Sequence, residues 1–282
     1  MVTIRWISTL ILMIMLLACG VDTQAQQETP CTADAGTVIT RTMQSEAIGQ
    51  EKAYNVYLPP NWCKLDDLPL LVMLHGVDGD YTDWVDEGRI DEAADALIQA
   101  GEIEPLIILM PDGDDSFYIN GEYGDYETYI VSELVGLVDQ EFPTAGTRET
   151  RFIGGLSMGG YGALYLGMRH PDLFSAIGAH SPAIFRPNQN EVSQYLYGVN
   201  AERYEDFDIV SLIERDGWPD GIRVFTDVGN EDGLLGAFFR LNDVLFTRVN
   251  VADYQVHIWP GTHDWAYWSA HAGDYLRFYM LP

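Results

Sequence analysis

Arg151-Phe152-Ile153-Gly154-Gly155-Leu156-Ser157-Met158-Gly159-Gly160-Tyr161-Gly162-Ala163 reads as a short β-strand that turns into a helix at a single serine. A Gly-x-Ser-x-Gly pattern in strand–turn–helix context is a nucleophile elbow. The turn is tight enough to force a strained backbone on the serine, and flanking side chains would strike the adjoining strand and helix. Gly155 and Gly159 remove that collision and leave the Ser157 hydroxyl alone at the tip. The helix that follows aims its N-terminal amides at any negative charge developing there. A glycine-rich turn with an idle serine has the same pattern, so the reading depends on what stands farther along the chain.

A serine hydroxyl attacks only when a base takes its proton, and the base needs a carboxylate to hold its tautomer and stabilise the resulting cation. Both are present after later strands, in the order Ser, Asp, His. Asp232 lies in Asp227-Val228-Gly229-Asn230-Glu231-Asp232-Gly233, just past a strand expected over 222–228. Asp227 and Glu231 are rivals, the first placed on the strand itself and the second requiring a different loop path. His263 lies in Trp259-Pro260-Gly261-Thr262-His263-Asp264-Trp265, between the last strand and the last helix. The other histidines fit less well: His75 precedes the elbow, His170 sits at a helix end, and His257 and His271 fall inside a strand and a helix. His180 follows its own strand and reads as structural.

Attack on a carbonyl also needs donors for the oxyanion. The Met158 amide, next after the nucleophile, supplies one. Leu74-His75-Gly76-Val77-Asp78-Gly79 follows an early strand, with Gly76 allowing a sharp turn, and the Val77 amide is the second candidate donor.

Around these motifs the chain alternates strand and helix. Residues 37–43 and 47–58 alternate apolar and polar, as two antiparallel strands at a sheet edge do. Leu70–Leu74 and Leu106–Met110 are continuous apolar runs, expected of strands covered on both faces. Helical spacing marks 90–100, 126–142, 158–169, 234–248 and 265–280, with further strands over 174–179 and 254–259. This order implies an α/β fold with a mainly parallel sheet, helices on both faces and an antiparallel N-terminal edge. No internal repeat or linker interrupts 37–282, which reads as one catalytic domain. Residues 182–220 are irregular and polar with short helices expected, and form a candidate cap.

The N-terminus belongs to targeting. Arg5 supplies a positive start, Trp6 to Leu17 is mostly apolar, and Leu16-Leu17-Ala18-Cys19-Gly20 ends in a cysteine after a small residue. This resembles a bacterial lipobox, so 1–18 is expected to be a lipoprotein signal peptide and Cys19 the lipidated N-terminus. Residues 19–36 then form a polar tether. The apolar run is short for a membrane span, and plain secretion is the alternative. Cys31 and Cys63 remain, an even pair suited to an oxidising compartment. The formal charge of −28, from 43 acidic and 15 basic residues, sets the surface against phosphate backbones, so nucleic acid is not an expected partner.

Gly-Leu-Ser-Met-Gly-Gly, Leu-Leu-Val-Met-Leu-His-Gly followed by Asp83-Trp84, Met110-Pro111-Asp112-Gly113 and Gly261-Thr262-His263-Asp264-Trp265 together resemble the esterase D family of α/β-hydrolases. That family includes S-formylglutathione hydrolases, feruloyl and acetyl-xylan esterases, and mycolyltransferases. The resemblance covers nearly all of 45–282, and 182–220 matches nothing in it. It implies an α/β-hydrolase fold, Ser157 as nucleophile, Asp232 as acid, His263 as base, and Val77 and Met158 as oxyanion amides. No cofactor is expected. Asp112, Asp114 and Asp115 lack the spacing of an EF-hand loop, and a solvated turn is expected rather than a metal site. Of the aromatics near the site loops, Trp84 and Trp265 are the candidates for walls of a substrate cleft. The expected activity is a serine carboxylesterase acting on acyl or feruloyl-type esters through an acyl-enzyme. An acyltransferase to a cell-envelope sugar and an inactive tethered binding protein are the alternatives.

Overall fold

The computed structural model describes residues 31, 34–198 and 201–280; the expected signal peptide (1–18), Cys19 and most of the expected tether (19–36) lie outside them. In chain order come β1 (Thr37–Gln44), β2 (Glu51–Leu58), β3 (Leu70–Leu74), α1 (Asp83–Asp86), α2 (Ile90–Gln99) and β4 (Ile107–Pro111). A small hairpin, β5 (Asn120–Gly121) and β6 (Gly124–Asp125), leads into α3 (Tyr126–Thr128), which runs through a π-helical turn into α4 (Val135–Glu141). Then follow β7 (Arg151–Leu156), α5 (Met158–Arg169), β8 (Ala176–His180), α6 (Glu191–Tyr197), α7 (Tyr204–Phe207) and α8 (Ile209–Asp216). The chain closes with β9 (Arg223–Gly229), α9 (Leu235–Arg248), β10 (Tyr254–Trp259) and α10 (Trp265–Met280).

Eight strands form one sheet in the order β1-β2-β4-β3-β7-β8-β9-β10. β1, β2 and β4 pair antiparallel, and every pairing from β4 through β10 is parallel. Successive side chains of a strand leave opposite faces, so the apolar runs feed two cores at once. Leu70, Val72, Leu74, Ile107 and Leu109 join one cluster with residues of α5, α8 and α9. Leu71, Met73, Ile108 and Met110 join the other, against α2 and α10. Covering both faces is what makes continuous apolar strands stable here.

Several expected boundaries shift, each for a local reason. The second strand starts at Glu51 rather than residue 47, because Ser45 N–H donates to the Gln50 carbonyl at 3.0 Å across a turn that Gly49 closes at φ 79°. Where the pattern marks a strand over 151–154, β7 runs on to Leu156, in register with His180, so the sheet carries the chain up to Ser157 itself. β8 likewise begins at Ala176 and includes His180. The described residues of 182–220 hold the expected short helices, three of them, with Leu196, Ile209, Leu212 and Ile213 buried in the larger core. Cys31 and Cys63 are bonded, Cα atoms 6.1 Å apart, tying the approach to β1 to the turn after β2. The Asp112–Asp115 turn is not simply solvated. The buried Lys52 ammonium lies 2.9 Å from Asp112 and 2.8 Å from Asp114, and Asp115 accepts the Asp78 N–H.

Candidate active site

Ser157 sits between β7 and α5 at φ 54°, ψ −113°, outside the conformations an L-residue prefers. Its N–H donates to the His180 carbonyl at 2.9 Å, and its own carbonyl accepts from Tyr161 and Ala183. Those bonds hold the strain in place. A methyl group on Gly155 would lie 2.6 Å from the Gly159 backbone, and one on Gly159 only 2.3 Å from the Leu74 carbonyl. Strand, helix and β3 therefore pack backbone to backbone around the serine, which only glycine permits.

The parallel order brings the ends of β7, β9 and β10 to one edge of the sheet, where such folds place their sites. After β9 and β10 the two loops are laced together: Asn230 N–H donates to the Trp259 carbonyl (2.8 Å) and Glu231 N–H to the Gly261 carbonyl (2.9 Å). Asp264 accepts the Tyr267 N–H at 3.0 Å, capping the start of α10 and fixing the loop from the other side. Within this frame His263 Nδ1 is 2.8 Å from Asp232 Oδ2, and His263 Nε2 is 2.9 Å from Ser157 Oγ.

The Asp232 side chain is fully buried. Burial raises its carboxyl pKa, but hydrogen bonds from His263 and the Leu234 N–H, with His263's charge and Ser181, outweigh that and hold it below the ordinary range. The ionised carboxylate accepts from Nδ1–H, which leaves the Nε2 lone pair facing the serine hydroxyl. Trp268 stands edge-on to the His263 ring at 4.9 Å and donates to Ser181 Oγ at 3.4 Å. Of the rival acids, Glu231 is exposed. Asp227 is buried and spent on His180 (2.6 Å), Tyr267 (2.8 Å) and Tyr275 (3.0 Å).

Two pockets meet at Ser157 and His263. One of about 240 Å³ is lined by Gly76, Val77, Asp78, Asp83, Trp265 and Trp268. The other, of about 430 Å³, is more apolar, with Phe117, Ala183, Phe185, Val192 and Leu234 along it. Val77 lies at the junction of both, and Met158 is the first residue of α5. Trp265 is half-buried and faces the smaller pocket. Trp84 does not reach a cleft, which corrects the expectation: it is 1% exposed, donates to the Leu74 carbonyl at 3.0 Å and packs edge-on behind Trp265. The sequence reading missed Ser181, Phe185 and Val192. Apolar Phe185 and Val192 inside a polar stretch were the available signal; Ser181 offered none.

Fold and site together define a serine hydrolase of the α/β-hydrolase class. The Esterase family model matches residues 45–277, and the chain belongs to that family of carboxylic ester hydrolases. An acetyl esterase of Caldicellulosiruptor saccharolyticus is 28% identical over 227 residues, 74% of this chain and 82% of its own length. An endo-1,4-beta-xylanase/feruloyl esterase of Xylanibacter ruminicola is 29% identical over 164 residues, 55% of this chain, and the match spans only 23% of that protein. The structure of a ferulic acid esterase superposes with a TM-score of 0.76 at 25% identity, covering 87% of this chain and 98% of the other. That of a Staphylococcus aureus S-formylglutathione hydrolase gives 0.73 at 25% identity, covering 86% and 98%.

Proposed function

We propose that the protein is an extracytoplasmic esterase, anchored through a lipid on Cys19, that removes acyl or feruloyl-type groups from polysaccharide by way of an acyl-enzyme. The observation that carries the chemistry is the unbroken relay from Asp232 through His263 to Ser157, at 2.8 and 2.9 Å. In this mechanism Ser157 Oγ attacks the ester carbonyl as His263 Nε2 takes its proton. The carbonyl oxygen becomes an oxyanion between the Val77 and Met158 amides. The imidazolium, steadied by Asp232, then protonates the departing alcohol oxygen, and the acyl group stays on Ser157. Water activated by the same imidazole releases the acid and restores the serine. The feruloyl and acetyl preferences come from the named relatives, and the apolar wall of Phe117, Phe185 and Val192 suits an acyl side chain.

Ser157→Ala tests the reading. Turnover of short acyl esters should vanish while the circular dichroism spectrum and melting temperature stay native. Ester turnover that survives in the folded variant would sink it.

A further inference from the structure

The geometry points to His75 as the positioning residue of the oxyanion loop, acting through the Gly76 carbonyl on the Val77 amide. The inference rests on the ester hydrolysis proposed above. His75 is 1% exposed at the end of β3 and touches neither pocket. Its ring spans two loops: Nδ1 is 2.7 Å from the Gly76 carbonyl, and Nε2 is 2.8 Å from the Gly113 N–H. A backbone N–H can only donate, so Nε2 presents its lone pair and the proton sits on Nδ1, which donates to Gly76. The tautomer is thus set by the chain after β4.

Carbonyl and N–H of one peptide unit point in opposite directions. Holding the Gly76 carbonyl towards His75 therefore turns the Val77 N–H the other way, towards the pocket that Val77 shares with Ser157. The junction is close: a methyl group on Gly76 would lie 3.6 Å from Ser157 Cβ. The Val77 N–H has no protein acceptor among the described residues, as a donor reserved for an oxyanion requires. Few other bonds hold this peptide. The Gly76 carbonyl also receives the Gly79 N–H, but at 3.3 Å. The His75 ring is itself held edge-on to Tyr118, whose hydroxyl donates to the His75 carbonyl at 3.1 Å. Asp114, Phe117 and Tyr118 in that loop all adopt left-handed conformations. The strained turn that puts Phe117 in the larger pocket therefore also braces the oxyanion donor.

Two substitutions separate the ring's two bonds. His75→Gln keeps an acceptor near the Nε2 position for Gly113 but loses the donor to Gly76. His75→Asn keeps a donor near the Nδ1 position and loses the acceptor. For p-nitrophenyl acetate, His75→Gln should lower kcat about 10²-fold with KM nearly unchanged, the scale of a lost oxyanion donor. Affinity for a trifluoromethyl ketone should fall in parallel. His75→Asn should recover most of both. Equal losses in the two variants, or a native kcat in folded His75→Gln, would overturn the assignment. Should the Gln protein not fold, the Asn variant decides: native-like kcat and ketone affinity support the assignment, and a tenfold loss of both ends it. Absence of ester turnover in the unaltered protein would instead sink the proposed function.

Discussion

Asp232→Asn is the perturbation whose size can be worked from the site. It removes the charge and keeps the shape of a fully buried side chain 2.8 Å from His263 Nδ1. The cation that forms on His263 during attack then loses its counter-charge. Unit charges ~4 Å apart interact by ~4 kcal/mol at an effective dielectric of ~20. The His263 side chain is 34% exposed, so water screens part of this. That leaves about 3 kcal/mol, or about 10² in kcat. A second effect adds to it. The asparagine amide can donate to Nδ1, placing the ring proton on Nε2 against the serine hydroxyl, and a wrong tautomer raises the loss towards ~10⁴. Steady-state kinetics on p-nitrophenyl acetate should therefore show kcat down by about 10² to 10⁴ with little change in KM. The neighbouring Glu231→Gln, on an exposed side chain, should stay within about twofold. A loss under tenfold in folded Asp232→Asn, or an equal loss in Glu231→Gln, refutes the reasoning. The same variant carries a pH signature. The native Asp232 carboxyl lies below its ordinary value of 3.8, so as pH falls the unfolded chain takes up that proton first. Its contribution is complete above the ordinary value and is lost as pH drops through the lower native one. Denaturant unfolding should show the native protein losing stability relative to Asp232→Asn across that acid window.

Trp84→Ala should cost about 3–5 kcal/mol in guanidinium unfolding, the scale for emptying a buried tryptophan site. Trp265→Ala should instead raise KM with a smaller loss of stability, and the reverse pattern would contradict their placement. Expressed from its full sequence in a host that lipidates proteins, the chain should take up labelled fatty acid and fractionate with membranes. Cys19→Ser should abolish both, and a soluble, unlabelled native protein would remove the anchor from the proposal.

Much of the fold could be read from local pattern because the central strands β3, β4 and β7 are covered on both faces and the helices that pack on the sheet, α2, α5, α9 and α10, are long enough to show their period. β10 and α10 run over the residues that alternation and helical spacing mark, 254–259 and 265–280. The elbow is legible for a different reason. A backbone packed this tightly accepts glycine alone at 155 and 159, and that requirement is written in residue type. Where a turn depends on hydrogen bonds rather than composition, as between Ser45 and Gln50, the boundary moved.

The chain by itself determined the long strands and helices, their order, and which loops carry a serine, an acid and a histidine. Distances across 75 residues between Ser157 and Asp232, and the choice of Asp232 over its neighbour Glu231, belong to the tertiary structure. The β9 and β10 loops lace together so that one carboxylate turns inward and the next outward. Burial of Trp84 was decided the same way. A tryptophan beside a polar turn reads alike whether it faces a cleft or a core, until α1 is laid against β3 and the indole reaches the Leu74 carbonyl. Local pattern records which face of an element is apolar; which element covers that face is a property of the packed whole.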